Sequence, residues 1–308
     1  VSVARLAGDG VEVLGGKIYF VGGWNPASNI AERYDPATNQ WETLTPMSVA
    51  REGVAVAVLD GKLYAIGGEG LSSVEIFDPQ TGQWSTGPAL PSEVNRGTAI
   101  TVGGKILLVG GNNSADQKIN QVLELDPATN QWETLNPMSV ARDGLAAAVL
   151  NGKLYAIGGT GSSVEIYDPQ TGQWSAGPSL PSEVQQAAAI TLNGKILLVG
   201  GHNGSADLSQ VLELDPASNL WQTKTSISSP ARSLKLVRFQ GKVWAMGGIY
   251  ASSFSNTMNT VQSYDPETNS WTSEASLSVP RTWPMAWVAN DKIYIAGGIS
   301  QNGSYLSS

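Results

Sequence analysis

The 308-residue sequence contains no cysteine and a single histidine, His202. Without thiols the chain forms no disulfides, has no thiolate nucleophile and offers no thiolate metal ligand. A lone histidine in a polar loop is more often a solvated residue than a general base. We therefore expect no catalytic residue, no metal site and no cofactor.

Charged residues are also scarce, at 14% of the chain, and the net charge of −8 is of the wrong sign for a nucleic-acid partner. The basic residues do not gather into a patch, because most of them recur at fixed positions of a repeat. Seven lysines share one such position: Lys17, Lys62, Lys105, Lys153, Lys195, Lys242 and Lys292.

Long apolar runs are missing, and the longest are of strand length and broken by glycine. The sequence therefore predicts no membrane insertion, and the N-terminus lacks the basic and apolar regions of a signal peptide. Few charges, many Ser, Thr and Asn residues and no Cys favour an extracellular or cell-surface location, with the cytoplasm as the alternative.

The chain contains one unit that is repeated along its length, and the clearest copy runs from Arg142 to Trp174. A short apolar run reaches Asn151-Gly152, a dipeptide that suits the two positive φ angles of a type I′ hairpin turn. The predicted elements follow in order: a strand at Leu145 to Leu150, a strand at Lys153 to Ile157 ending at Gly158-Gly159, a strand at Ser162 to Tyr167, an Asp168-Pro169 turn, and a fourth strand opening at Trp174.

This pattern recurs over essentially the whole chain. Glycine pairs begin at seven positions: Gly22, Gly67, Gly110, Gly158, Gly200, Gly247 and Gly297. An Asp-Pro turn followed by tryptophan occurs six times, with the tryptophans at Trp41, Trp84, Trp132, Trp174, Trp221 and Trp271. Four strands in some forty residues with these markers resemble the kelch repeat, one blade of a β-propeller.

The resemblance implies an all-β, kelch-type β-propeller forming a single domain over residues 1–308. Because the first hairpin occurs seven times and the second only six, we expect six complete four-stranded blades and a two-stranded seventh. A seven-bladed ring is favoured, and a six-bladed ring with an extra terminal hairpin is the alternative. The open edge of a two-stranded blade is a site for docking or aggregation.

Recognition is expected on the face that carries the variable loops after the glycine pairs. Tryptophans outside the repeat and aromatic residues of the longest loop mark this face, and four of them are expected near the joint between first and last blades: Trp24, Tyr250, Phe254 and Trp283. Exposed aromatics are typical anchors for proteins or sugars. The alternative is that they pack an irregular ring closure.

A second candidate set is a group of arginines near the starts of first strands: Arg5, Arg51, Arg142, Arg232 and Arg281. One hypothesis places them at the channel mouth, where kelch domains that bind acidic peptides carry arginines. The other interpretation is that each pairs locally, with carboxylates such as Glu52 or Asp143 or with a neighbouring blade.

We therefore expect a non-enzymatic binding or scaffold module for a protein or glycan partner. One alternative is a cofactor-free, mutarotase-like carbohydrate enzyme, for which no polar cluster stands out in the sequence. A copper site like that of galactose oxidase is excluded by the single histidine and the absence of cysteine. A further alternative is an assembly subunit that docks by strand addition at its incomplete terminal blade.

Overall fold

The computed structural model describes residues 10–23, 27–251 and 253–306. Within those ranges the regular structure is almost entirely β, with one 3-10 turn at Phe254–Asn256. The same ranges contain no helix that is long and apolar enough to cross a bilayer. Contacts group Ala7–Asp143 into one compact unit, here unit 1, and Gly144–Ser308 into a second, unit 2.

Unit 1 contains three four-stranded antiparallel sheets, each with its strands in sequence order. The first is β1 (Val11–Leu14), β2 (Lys17–Val21), β3 (Ala31–Asp35) and β4 (Gln40–Thr43). The second is β5 (Ala55–Leu59), β6 (Lys62–Ile66), β7 (Val74–Asp78) and β8 (Gln83–Thr86). The third is β9 (Thr98–Val102), β10 (Lys105–Val109), β11 (Val122–Asp126) and β12 (Gln131–Thr134).

Unit 2 contains three more such sheets and a two-stranded one. Its first sheet is β13 (Ala146–Leu150), β14 (Lys153–Ile157), β15 (Val164–Asp168) and β16 (Gln173–Ala176). The second is β17 (Ala188–Leu192), β18 (Lys195–Val199), β19 (Val211–Asp215) and β20 (Leu220–Lys224). The third is β21 (Lys235–Phe239), β22 (Lys242–Met246), β23 (Val261–Asp265) and β24 (Ser270–Ser273). The last sheet is β25 (Met285–Ala289) with β26 (Lys292–Ala296). Six four-stranded blades and a two-stranded seventh are thus confirmed.

The first turn of the clearest blade has the predicted chemistry. Asn151 and Gly152 have φ angles of 52° and 72°, as a type I′ turn requires, and Leu150 pairs with Lys153 across it. The third strand starts at Val164, two residues later than expected. The carbonyl oxygens of Ser162 and Ser163 accept from Leu180 and Gly158 instead of joining the ladder.

Antiparallel order places the two tight turns of each blade at one end, here called the turn end. The loop between the second and third strands, and the crossover from the previous blade, lie at the opposite end, called the loop end. The two faces assigned from the sequence therefore exist in every four-stranded sheet.

The repeat tryptophans connect successive blades within each unit. Four of the six donate the indole N–H to a backbone oxygen of the segment that leaves the preceding blade: Trp84 to Thr45 at 2.8 Å, Trp132 to Pro88 at 2.9 Å, Trp221 to Pro178 at 2.8 Å and Trp271 to Thr225 at 2.8 Å. Where the residue before Asp-Pro is aromatic, its ring contacts the tryptophan in a tilted arrangement, as Tyr167 and Trp174 do with centroids 5.3 Å apart and ring planes at 47°. The spacing of tryptophans therefore encodes contacts between blades as well as strand positions.

Candidate functional site

Each blade after the first is entered through one residue in the left-handed region of φ. In unit 2 these residues are Gly144, Gln186, Ser233 and Trp283, with φ angles of 64°, 53°, 55° and 48°. The backbone N–H of Gln186 donates to the carbonyl of Gly144, that of Ser233 to Gln186, and that of Trp283 to Ser233, at 2.9 to 3.0 Å. These four residues form a continuous hydrogen-bonded row, the crossover row, across the loop ends of four blades.

Trp283 is the most unusual member of the crossover row. A bulky side chain at positive φ is strained by about 1–3 kcal/mol, and such strain persists where the surroundings hold it and often marks binding sites. Its backbone is held by the bond to Ser233, and the neighbouring Thr282 is bridged to Ile299. The indole is partly buried at the loop end, the side on which the sequence predicted it.

Two exposed aromatic residues lie on the long loop of the adjacent blade. Tyr250 is 48% exposed and Phe254 is 41% exposed, on the segment between β22 and β23. A β-carbon on Gly303, in the loop after β26, would lie 3.8 Å from the Phe254 ring. The Gln301 amide donates to the Ser255 oxygen at 3.5 Å, so the loops of the last two blades contact each other.

A buried carboxylate holds this aromatic loop in place. Asp207, in the loop after β18, accepts the backbone N–H of Ala251 at 2.6 Å through Oδ2. Its Oδ1 lies 3.4 Å from Nε of Arg232, and the Asp207 side chain is only 2% exposed. Asp207 therefore joins three segments: its own loop, the crossover with Arg232 and the loop that carries Tyr250.

His202 lies in the same region and has a structural role. Its backbone bridges Gln185 and Asp207, and its Nδ1 accepts the N–H of Gly204 at 3.0 Å. This arrangement holds the turn after the glycine pair.

The arginines occupy two different structural positions. In six of the glycine pairs, the N–H of the second glycine donates to a carbonyl of the next crossover. The accepting residue lies two places before the left-handed residue of that crossover: Arg51, Val94, Arg142, Val184, Ala231 and Arg281. Arg51, Arg142 and Arg281 are therefore equivalent, and Arg232 lies one residue further on. The glutamines at 185 and 186 correspond to Asp143 and Gly144, and Val184 takes the place of the arginine.

The three equivalent arginines are buried, with exposures of 0% for Arg51, 0% for Arg142 and 3% for Arg281. Arg51 donates to the oxygens of Gly67 and Ser73 at 2.6 and 2.8 Å, and its Nη2 lies 3.1 Å from Glu75. This geometry favours local pairing, and a carboxylate that Arg51 contacts is Glu75 of the third strand. Arg232 keeps partial exposure, while Arg5 and Trp24 lie outside the described residues.

A cavity of about 190 Å³ lies at the turn end of unit 2, between β18 and β23. Three of its charged groups pair with one another, since the Glu213 carboxylate contacts Lys195 at 3.0 Å and Lys224 at 3.3 Å. Burial, with smaller effects of Glu213 and Asp265, raises the pKa of Tyr264 to about 12. These ion pairs lie within the blade of β17 to β20, on one side of the cavity.

Comparison with known proteins agrees with this architecture. A profile described as the KLHDC2/KLHL20/DRC7 Kelch-repeats domain matches residues 8–179 and again 96–298, which together cover most of the chain. The chain belongs to the kelch-repeat family.

Relatives of this kelch chain include Kelch-like protein 33 of Homo sapiens, 35% identical over 124 residues that cover 39% of the chain and 23% of the relative. Kelch repeat and BTB domain-containing protein 12 of Homo sapiens is 28% identical over 152 residues, covering 39% and 24%. Kelch-like ECH-associated protein 1A of Danio rerio is 39% identical over 77 residues, covering 23% and 13%. The matched regions span about a quarter or less of these relatives.

Solved structures show the same fold at low identity. YjhT superposes with a TM-score of 0.69 at 16% identity, covering 88% of the kelch chain and 98% of YjhT. A fungal alcohol oxidase in complex with copper superposes with a TM-score of 0.81 at 17% identity, covering 99% and 73%. In the described part of the kelch chain, no three His, Cys, Asp or Glu residues are grouped to hold a metal ion.

Reasoning from the sequence missed three residues of this region: Gln186, Ser233 and Asp207. The first two were detectable from the sequence. When the repeats are aligned on their glycine pairs, Gln186, Ser233 and Trp283 fall at the position that Gly53 and Gly144 occupy in other repeats. A glycine replaced by a larger residue at a left-handed position is a signal of strain. Asp207 gave no signal, since its partners come from two other segments.

Proposed function

We propose that this kelch chain is a protein-binding module that uses the loop end of unit 2. The contact surface comprises the aromatic side chains of Trp283, Tyr250 and Phe254, with Arg232 beside them. Large aromatic residues and arginine supply most of the binding energy at protein interfaces. The observation that carries the proposal is the pair of exposed aromatics on the long loop of one blade, together with a tryptophan at positive φ in the crossover to the next blade.

The ligand is an extended peptide segment of a partner protein. Arg232 is held by Asp207 and remains partly exposed, so its guanidinium is already oriented for a backbone oxygen or carboxylate. The Kelch-like relatives support a protein partner by family likeness. No relative supports the glycan partner or the extracellular location, and both stay predictions.

The test is a selection of linear peptides from a random library against the whole chain. Enriched peptides are then titrated against a triple variant, Trp283→Gly, Tyr250→Ala and Phe254→Ala. Glycine at 283 keeps the positive φ without strain, so the variant is expected to fold. We expect affinity to fall at least tenfold.

The matched control is Leu220→Ala, which removes a 61% exposed apolar side chain from β20 of the same unit. This variant should bind the selected peptides as the parent does. Peptides that bind the triple variant and the parent equally, or a library that yields no enriched sequence, would refute the proposed site.

A further inference from the structure

The sequence Asn-Gly-Ser occurs twice in the chain, and its two copies have different surroundings. The first copy is residues 203–205, in the loop after β18, and the second is residues 302–304, in the loop after β26. Asparagine followed by glycine is prone to lose its side-chain amide, because glycine has no side chain to hinder attack of its backbone nitrogen on the asparagine Cγ. The local sequence therefore predicts equal reactivity at the two sites.

At the first copy, the attacking nitrogen contacts an imidazole. The N–H of Gly204 donates to Nδ1 of His202 at 3.0 Å. A ring nitrogen that accepts this hydrogen bond can also take up the proton, and 3.0 Å is within the reach that general-base catalysis needs. The His202 backbone forms antiparallel bridges with Gln185 and Asp207, so the base is anchored on both sides.

The side-chain oxygen of Asn203 is held by two backbone N–H groups. Oδ1 accepts from Ser205 at 3.0 Å and from Ala206 at 2.8 Å. Attack on Cγ places negative charge on this oxygen, and donors at these distances stabilise such charge, as they do in an oxyanion hole. The backbone N–H of Asn203 donates to the Ala206 oxygen at 3.0 Å, so the same turn holds all of these groups together.

At the second copy, the attacking nitrogen faces a carbonyl oxygen instead of a base. The N–H of Gly303 donates to the backbone oxygen of Ser300 at 3.0 Å, and an amide oxygen does not take up a proton at neutral pH. Oδ1 of Asn302 accepts from the Ser304 N–H at 3.2 Å and from the Ser300 hydroxyl. The two sites thus share a sequence and differ in the group that contacts the glycine nitrogen.

We propose that Asn203 is a site of self-deamidation in which His202 acts as the base. The Gly204 nitrogen forms a bond to Cγ of Asn203 while its proton passes to Nδ1 of His202. The Cγ–Nδ2 bond then breaks, and the proton on His202 is transferred to the leaving nitrogen, which departs as ammonia. Water opens the resulting succinimide at either of its carbonyls and leaves aspartate or isoaspartate at this position, with no oxidation or reduction.

The modified loop is the one that positions the aromatic residues of the loop end. Both products add a carboxylate, and isoaspartate also lengthens the main chain by one carbon between His202 and Asp207. Asp207 accepts the N–H of Ala251 at 2.6 Å, so the altered loop includes the acceptor that holds the segment with Tyr250. Deamidation at this position requires no ligand at that surface.

The first test follows both sites in the folded chain at neutral pH and physiological temperature. Peptide mapping by mass spectrometry detects the replacement of each amide by a carboxyl. Asn203 should deamidate at least tenfold faster than Asn302. In concentrated urea the two rates should converge, because the unfolded chain keeps the shared sequence and loses both sets of contacts. Equal rates in the folded chain, no deamidation of Asn203, or a ratio that persists in urea would overturn the proposal.

The second test uses the variant His202→Asn, which introduces the residue that follows a glycine pair of unit 1 at Asn112. Asn112 forms a bridge with Asn95 as His202 does with Gln185, so this residue suits the position. An amide oxygen accepts an N–H but is not a base. The Asn203 rate should fall at least tenfold, while Asn302 in the same molecules serves as the control and keeps its rate. An unchanged rate at Asn203, or an equal change at both sites, would show that the imidazole is not the base.

Discussion

Nη2 of Arg51 lies 3.1 Å from Oε1 of Glu75, and both side chains are withdrawn from solvent. Arg51 belongs to the crossover before β5, and Glu75 lies on β7 of the same blade. The Glu75 carboxylate also accepts the backbone N–H groups of Ser48 and Val49 at 2.7 and 3.3 Å. One ion pair therefore joins the segment that enters a blade to the middle of that blade.

Removing one partner of this pair should be costly. Arg51→Met leaves the Glu75 carboxylate buried without its cation, and breaking a buried pair in this way costs about 3–5 kcal/mol of unfolding free energy. Denaturant unfolding followed by tryptophan fluorescence measures the loss. Glu42→Gln is the control, because Glu42 is 58% exposed in its pair with Arg33, and we expect a change below about 1 kcal/mol. Equal losses in both variants would contradict this account of Arg51.

The same pair predicts acid sensitivity. Burial raises the pKa of Glu75, but hydrogen bonds from Ser48 and the charge and hydrogen bond of Arg51 outweigh burial, so the pKa is lowered. A carboxyl with a lowered folded-state pKa stabilises the fold above its unfolded pKa of about 4.3, and this contribution disappears as the pH falls through the folded value. The melting temperature should therefore fall below about pH 4.5. Glu75→Gln should flatten that fall, and an unchanged slope would argue against Glu75 as a source.

One hairpin turn carries a residue whose backbone strain a substitution can relieve. Asn290 and Asp291 have φ angles of 46° and 53°, and the corresponding second position in the blade of β13 to β16 is Gly152. Asp291→Gly should stabilise the chain by about 0.5–1 kcal/mol, because glycine tolerates this φ. The reciprocal control, Gly152→Asp, has open space around a new β-carbon and should destabilise through the backbone alone. Thermal unfolding distinguishes the two, and a loss of stability in Asp291→Gly would refute the argument.

Asp207 is expected to act as a positioning residue for the aromatic loop. Asp207→Ala removes the acceptor of the Ala251 N–H and the carboxylate beside Arg232. Hydrogen exchange at Ala251 should accelerate at least tenfold, and peptides selected against the loop end should bind more weakly. Asp116→Ala is the comparison, since it changes a loop carboxylate of unit 1 that contacts Asn112. Unchanged exchange at Ala251 would show that the loop is held by other contacts.

The strands and turns of this protein were largely predictable from the sequence. Asn151-Gly152 and Asp168-Pro169 each determine their turn through the local φ preferences of a few residues, so they predict it without knowledge of the fold. Because the same signals recur along the chain, they predict six four-stranded blades and one two-stranded blade, and the structure confirms this count. The closed ring and the single domain over residues 1–308 stay predictions.

The candidate site was predictable only in part. The loop-end positions of Tyr250, Phe254 and Trp283 follow from strand order, because loops after second strands all leave at one end of a sheet. The equivalence of Arg51 with Arg281, and the one-residue offset of Arg232, follow from their spacing to the glycine pairs, but their burial does not. The carbonyls that accept from the second glycine of each pair agree with this alignment.

The sequence by itself determined the blade, since each of its strands and turns is encoded by neighbouring residues and their backbone preferences. Only the tertiary structure decided which side chains are withdrawn from water and which are presented to a partner. Arg51 is buried by contacts with residues 16 to 24 positions further along the chain, and the row from Gly144 to Trp283 is formed by hydrogen bonds between segments more than forty residues apart. No local preference encodes such contacts, because they exist only when the strands of a blade, or successive blades, are packed together.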